Sequence, residues 1–383
     1  MKKYILKSMI VSMLCILAAS CVNDDVLDEY DQQVNSEKVF VQFTISLNEQ
    51  TASSRSTWEN YVPDNTSSSS NADFLLAENY INPVKVQVLL FDLEGNFISS
   101  MKDVTVNSLE NNSVTPGTEN PQIYALTGSF EAQSDESDKL SFKMMVFANC
   151  PTITKPEDYY KLTYSYSEWS IERGIPMWGM ATFLDVDFKE NTSFSSPIKL
   201  NNPIYMLRSM AKIEVSLNKQ DETDATYNLN SAEINKIMST GMAMPALKDA
   251  DNKSYTNLSL NATTNLGVNT VFNPATSGGT VSGTLTGSNN VVSIYTPEYN
   301  NANNDLIVTL NLTRKSSGSP VYKEGTTRFS FKHGNYSQGG YTNTMNIVRN
   351  HYYRYTVSIV NKLDVQVSVC PYGSYVLNPE FGL

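Results

Sequence analysis

Residues 39–47 read Val-Phe-Val-Gln-Phe-Thr-Ile-Ser-Leu, so Val39, Val41, Phe43, Ile45 and Leu47 alternate without a break. A strict period of two places these five side chains on one face of a β-strand, because successive Cβ atoms of an extended chain point to opposite sides. Phe40, on the other face, points to partial cover there as well. The pattern recurs in Val84, Val86, Val88 and Leu90, in Leu140, Phe142, Met144 and Val146, and in residues 291–295, 306–312, 328–331, 353–359 and 363–369. Short alternating runs divided by turn residues predict an all-β fold built of sandwiches. Tyr, Thr, Val, Ser and Asn are abundant, which suits strands and turns, and long amphipathic helical stretches are not evident.

The chain opens on a different signal. Lys2, Lys3 and Lys7 give a positive start, residues 9–17 form a short apolar run, and Leu17-Ala18-Ala19-Ser20-Cys21 closes it. This reads as a secretory signal peptide, too short for a permanent membrane span. Small residues directly before a cysteine resemble a bacterial lipobox. The resemblance implies cleavage before Cys21 and acylation of its thiol and amine, with palmitate-type chains. One acyl chain binds a membrane with an association constant of only about 10⁴ M⁻¹, whereas two or more anchor stably. The alternative is ordinary secretion with Cys21 incidental. Residues 1–20 are therefore expected to be a lipoprotein signal and residues 21–37 an acidic tether without periodicity. Val22 instead of Asp, followed by Asn23-Asp24-Asp25, resembles a tether sorted outward to the outer membrane.

The formal charge is −11, from 28 Lys+Arg against 39 Asp+Glu, and removal of the signal lysines deepens the imbalance. Such a chain is a poor ligand for nucleic acid or anionic headgroups. No later stretch approaches the ~20 apolar residues of a membrane helix. Cys150 and Cys370, each followed by proline, are open to two readings: a disulfide in an oxidising compartment, or two buried free thiols at strand ends. The second is preferred, because a free cysteine packs as a small apolar residue.

Along the chain, residues 48–71 form a polar Ser/Thr/Asn-rich loop that contains Arg55. A loop of this kind is an exposed proteolytic target. Asp92-Leu93-Glu94-Gly95-Asn96 reads as a hairpin turn, with Phe97 and Ile98 starting the return strand. Ile175-Pro176-Met177-Trp178-Gly179 reads as a turn-rich apolar patch, and residues 183–188 and 198–200 as shorter strand candidates. A new strand spans residues 207–217, after the polar Asn201-Asn202-Pro203, so two sandwich domains are expected, at 38–206 and 207–383.

Taken in order, several motifs resemble the fimbrillins, the FimA/Mfa-type fimbrial-subunit superfamily of outer-membrane lipoproteins. The lipobox precedes an alternating strand and a loop with Arg55-Ser56-Thr57. Then come Glu78-Asn79-Tyr80-Ile81, Leu89-Leu90-Phe91-Asp92 with Gly95, Phe147-Ala148-Asn149, and Ile175-Pro176-Met177-Trp178-Gly179. Arg208-Ser209-Met210-Ala211-Lys212-Ile213-Glu214-Val215, Gly241-Met242-Ala243-Met244-Pro245, Pro297-Glu298-Tyr299 and Val348-Arg349-Asn350-His351-Tyr352-Tyr353 follow. The resemblance runs along nearly the whole chain. It implies two transthyretin-like β-sandwich domains in tandem and a structural role in a pilus that serves cell adhesion.

The resemblance also implies a mechanism. A trypsin-like protease cuts an Arg bond in the loop behind the first strand; the strand leaves, and a strand from another subunit fills the groove. Arg55 occupies that position, and Val39, Val41, Phe43, Ile45 and Leu47 form the strand to be displaced. Five buried apolar side chains at roughly 1.5–3 kcal/mol each amount to about 8–15 kcal/mol of burial before entropy costs. An incoming strand restores both that burial and the backbone pairing. The donor is expected in the C-terminal segment. Val365 to Val369 read better as the last strand of their own sandwich, leaving Tyr375, Val376 and Leu377 as the donor candidate. Proline and glycine interrupt that tail. Arg55 favours a stalk or tip subunit and the interrupted tail a tip or anchor, so position in the pilus stays open. Expected partners are other fimbrial subunits, the processing protease, the outer membrane through lipid, and a host or bacterial surface ligand.

No enzyme is expected. His333 and His351 lack metal-ligand spacing, and no Gly-x-Ser-x-Gly elbow, phosphate loop or dinucleotide fingerprint occurs. Asp249-Ala250-Asp251-Asn252 lacks the glycine and glutamate of a calcium loop and reads as a turn. No cofactor or metal is expected. The rival reading is a surface glycan-binding lipoprotein, which would need exposed aromatic platforms; Trp58, Trp169 and Trp178 are the only tryptophans.

Overall fold

The structure is a computed structural model. It describes residues 37–47, 79–108, 123–132, 139–188, 192–219, 223–245, 247–249, 254–255, 281–282, 284–285, 290–301, 303, 305–315, 325–333, 343–344, 346–359 and 364–371. Cys21, Arg55, Tyr375, Val376 and Leu377 lie outside the described residues.

The strands before residue 209 are β1 (Glu37–Ser46), β2 (Val86–Phe91), β3 (Phe97–Ser100), β4 (Lys102–Ser108), β5 (Ile123–Ala132), β6 (Lys139–Ala148), β7 (Thr163–Ser165), β8 (Met177–Asp187), β9 (Ile198–Lys199) and β10 (Ile204–Arg208). After it come β11 (Ala211–Leu217), β12 (Tyr227–Ile234), β13 (Thr240–Met242), β14 (Leu247–Asp249), β15 (Ser254–Tyr255), β16 (Val281–Ser282) and β17 (Thr284–Leu285). The last are β18 (Val291–Thr296), β19 (Ile307–Arg314), β20 (Gly325–Ser330), β21 (Lys332–His333), β22 (Asn343–Thr344), β23 (His351–Ser358) and β24 (Asp364–Pro371). The all-β expectation holds.

The first assembly is one sheet in the order β3-β2-β6-β8-β10-β1-β5-β4, with β9 beside β1. Its two end strands are neighbours in sequence. β3 pairs with β2, the chain bends at Met101, and β4 pairs with β5. The bend brings the ends of the sheet together, so its inner face wraps one core that includes Val41, Phe43, Ile45, Leu90, Leu126 and Met206. Gly128 is required at this corner: a Cβ there would lie 2.7 Å from the Met101 side chain and 3.0 Å from the Lys102 carbonyl. A second apolar layer covers the outer face of β2, β6, β8 and β10. There Leu89, Phe147, Trp178 and Leu207 pack against Tyr159 and Met244. Strands covered on both faces lose alternation and become continuously apolar, which is why residues 142–148 of β6 are buried without interruption.

The second assembly repeats the first. β16-β12-β19-β20 form one sheet and β17-β18-β11-β23-β24 the other, around a core with Ile213, Val215, Leu310, Phe331 and Tyr355. β11 is antiparallel to β18 and parallel to β23, as β1 is antiparallel to β5 and parallel to β10. β12 pairs antiparallel with β16 and β19, as β2 does with β3 and β6. β19–β20 matches β6–β8, and β17–β18 matches β4–β5. β16 and β17, adjacent in sequence, pair with β12 and β18, just as β3 and β4 pair with β2 and β5. The difference lies beside β23. In the first assembly β8 pairs with both β6 and β10, whereas among the described residues β20 pairs with β19 alone and β24 takes the place next to β23.

Two readings of the sequence are corrected. The patch at residues 175–179 is the entry to β8, an eleven-residue strand inside the sheet. The single strand expected at 207–217 is two strands: β10 ends at Arg208 and β11 begins at Ala211, in a different sheet. The chain crosses between assemblies at Ser209 and Met210, and Asn350 brackets the crossing. Its side-chain Oδ1 accepts from Arg208 N at 3.2 Å and its own amide donates to Met210 O at 2.9 Å.

Candidate functional site

The first strand lies inside the sheet, between β5 and β10. Val39, Val41, Phe43, Ile45 and Leu47 are all buried, as their alternation predicts. Val39 stands opposite Phe130. Phe130 packs edge-on to Phe142 and Phe188, with centroids at 6.4 and 5.7 Å, so one end of the strand meets an aromatic cluster. On the outer face Lys38 is exposed, and Phe40, Gln42 and Thr44 are half-buried.

The two edges of β1 are unequal. Toward β5 the antiparallel register runs without a break from Glu37 opposite Ala132 to Ser46 opposite Ile123. Toward the other side the contacts are parallel and interrupted. Val41 and Gln42 pair with Ile198 and Lys199 of β9, and Ile45 and Ser46 pair with Ile204 and Tyr205 of β10. Leu200 N donates to Gln42 O at 2.8 Å, and Phe40 N donates to Thr192 Oγ1 at 2.8 Å. Phe194 meets Phe40 edge-on, with centroids 6.4 Å apart.

Charges reinforce the β5–β4 side. Lys38 Nζ lies 2.6 Å from Asp103 Oδ2 on β4, and Lys102 Nζ lies 2.9 Å from Glu131 Oε1 on β5. Hydrogen bonding to Lys38 holds the Asp103 carboxyl below its ordinary range, and hydrogen bonding to Lys102 does the same for Glu131. These pairs are solvent-exposed and individually weak.

A second constellation lies where the assemblies meet; most of its residues stand in the motifs read from the sequence, but sequence reasoning assigned them no role. Arg349 is buried and pairs with Glu298 at 2.5 Å, Nη2 to Oε2. Arg208 is also buried and donates to Asn79 Oδ1. Asn149 accepts from Asn82 N at 2.8 Å and donates to Tyr80 O and Ile175 O, at 2.7 and 2.9 Å. Asn149 and Asn350 both have positive φ, at 57° and 56°, a conformation asparagine tolerates better than most residues. Tyr164 OH donates to Ser209 O at 3.0 Å, Tyr166 OH to Tyr295 O at 2.7 Å, and β7 pairs with β13. These residues brace strand ends. The faint sequence signal was a set of Asn residues directly beside apolar runs.

The chemistry of this region is quiet. Burial pushes the Cys150 thiol up to about 12, which keeps it protonated and a poor nucleophile. Cys150 is free and buried. Burial lowers the pKa of His351, whose Nδ1 sits 2.7 Å from Arg349 O. Among the described residues, no three His, Cys, Asp or Glu side chains converge as metal ligands, and no helix is long and apolar enough to cross a membrane. Trp178 is fully buried, and half-buried Trp169 stacks on Tyr166 at 6.0 Å.

No protein-family model matches the chain, and no curated protein matches it. Among solved structures it is similar to the tip fimbrial protein Mfa3 from Porphyromonas gingivalis, solved with a C-terminal truncation. The TM-score is 0.50 at 14% identity, covering 87% of this chain and 99% of that one. It is also similar to a fimbrial assembly protein from Parabacteroides distasonis, with TM-score 0.45 and 12% identity over 87% of this chain and 98% of that one. The chain thus has an all-β fold of several sheets, and that fold is shared with Mfa3.

Proposed function

We propose that this protein is a structural subunit of a bacterial fimbria, assembled with other subunits by β-strand exchange and serving cell adhesion. The observation that carries this reading is the placement of β1. It is the first described strand, fully core-forming on its inner face, and among the described residues laddered completely on one edge only. Cleavage at Arg55, in the loop behind it, would free the strand and open a groove whose backbone and side-chain demands another strand can meet. The fold shared with the Mfa3 tip protein supports the same role. The donor is assigned to the C-terminal segment at Tyr375, Val376 and Leu377, beyond β24. The protein is read as a lipoprotein acylated at Cys21, processed by a trypsin-like protease and held at the outer membrane and in the fimbria. The duplicated strand order supports two sandwich domains, and the crossing at Ser209 and Met210 supports a division close to the expected 206/207. The quiet chemistry of the buried groups supports a structural role rather than a catalytic one.

The test is limited trypsin treatment of the purified mature protein, then terminal mass analysis and electrophoresis without boiling. Cleavage after Arg55 and heat-labile ladders are expected, with both lost in Arg55→Ala. A chain that is cut at Arg55 yet stays monomeric with its first strand in place would contradict strand exchange. A monomer that also bound glycans would favour the rival reading.

A further inference from the structure

We infer that residues 192–205 form a latch whose hold on the second edge of β1 sets how fast that strand leaves the sheet. The inference rests on the strand-displacement reading above. Among the described residues, each backbone contact on that edge comes from this one stretch of chain. Thr192 holds Phe40 N, Ile198 and Lys199 pair with Val41 and Gln42, Leu200 N reaches Gln42 O, and Ile204 and Tyr205 pair with Ile45 and Ser46. The stretch runs parallel to β1 but touches it in separate places.

Its first part is a clip closed on itself. Ser193 N donates to Ser196 O at 3.2 Å, Ser196 N donates to Ser193 O at 3.1 Å, and the Ser193 hydroxyl also accepts from Ser196 N. A turn that satisfies its own backbone groups can lift once the Thr192 hydroxyl releases Phe40 N and Phe194 leaves Phe40, whereas Ile204 and Tyr205 stay seated in β10, which is also paired with β8. Phe194 is the side chain that seats it. It is 52% exposed yet lies edge-on against Phe40. The corresponding edge of β11 has no such clip: parallel pairing to β23 runs unbroken from Lys212 opposite Tyr352 to Leu217 opposite Val357. An edge made of separate contacts can open in steps, whereas a continuous ladder opens cooperatively.

The experiment uses the full mature chain, nicked by protease between β1 and β2, and follows loss of the N-terminal fragment by size separation and mass analysis. Wild type is compared with Thr192→Val, Phe194→Ala, the double variant and Phe97→Ala, an exposed aromatic on β3. Loss of the hydrogen bond and the aromatic contact together is expected to speed fragment release by about tenfold, with Phe97→Ala unchanged. Equal release rates in wild type and latch variants would overturn the latch and leave strand displacement standing. No release from any protein would overturn both. Hydrogen exchange on the un-nicked chain decides the matter even if the variants fold poorly. Residues 192–205 are expected to exchange about tenfold faster than β5, and equal protection would overturn the latch.

Discussion

β1 and β11 hold the same place in two assemblies of closely similar strand order, and they differ in how their second edge is closed. β11 is laddered without interruption to β18 on one side and to β23 on the other. β1 is laddered completely to β5, but its other edge is patched by Thr192, β9 and β10. Their inner faces are equally buried: Val41 and Ile45 match Ile213 and Val215. On the strand-exchange reading proposed above, side-chain burial therefore does not distinguish the strand that leaves from the one that stays. The backbone edge does, because each backbone group that loses its partner must find another or meet water.

The sharpest way to break this comparison is core truncation. Phe43→Ala is expected to cost about 3–5 kcal/mol and Ile213→Ala about 2–5 kcal/mol in urea unfolding, since each leaves a cavity in a buried core. Once the chain is nicked after β1, the two should part ways. Phe43→Ala should speed loss of the first strand and Ile213→Ala should not. Equal effects on strand release would erase the distinction.

A smaller effect is expected from Gly179→Ala on β8. A Cβ there would lie 2.4 Å from the Tyr205 carbonyl, so β10 must shift away from β8. A cost of about 1–3 kcal/mol is expected from such overpacking. Because Tyr205 also pairs with Ser46, exchange at the end of β1 should rise in the same variant. Unchanged thermal unfolding and unchanged exchange would both count against the described seam.

Acid should separate the two assemblies further. Burial depresses the His351 pKa in the folded state, so the unfolded chain binds the proton more readily. Its stabilising contribution is full above the ordinary value of 6.5 and falls as pH drops below it. Asp103 and Glu131 behave alike but lower, because their partners depress ordinary values of 3.8 and 4.5. Their contribution is present above those values and is lost as pH falls through the depressed ones. Exchange measured from pH 7 to pH 3 should show the β23 region weakening first and the start of β1 later. Lys38→Met should remove part of the late phase. That change is expected to be the smallest of all, since the pair is exposed.

Much of the fold was legible wherever one face of a strand is buried and the other is wet. β1, β19 and the part of β23 from Tyr353 onward show clean alternation, and Asp92 with Gly95 marks the β2–β3 turn. Elsewhere physical causes hid the strands. β12 shifts phase at a bulge between Leu229 and Ser231, so Tyr227 and Leu229 fall out of step with Ala232 and Ile234. β5 is buried on both faces and carries Gly128, where the corner at Met101 presses in. β8 begins directly after Pro176 and carries Gly179 against β10, so its entry looks like a turn. For the candidate site, the inner face of β1 was written in five side chains, but its second edge was not. Ile198 and Ile204 pair with a strand more than 150 residues earlier, and parallel pairing at that separation leaves no local period. The bracket of Asn350 around Arg208 and Met210 is equally long-range.

The most direct measurement is exchange of the strand itself. The mature protein, nicked after β1, would be incubated with an excess of fluorescent peptide spanning residues 37–47, and bound label followed after size separation. A replaceable first strand requires that the peptide enter as the resident fragment leaves, and that the labelled complex survive until heated. Complete nicking with no label bound, and the original fragment still in place after days, would show that β1 is as fixed as β11 and would contradict the account.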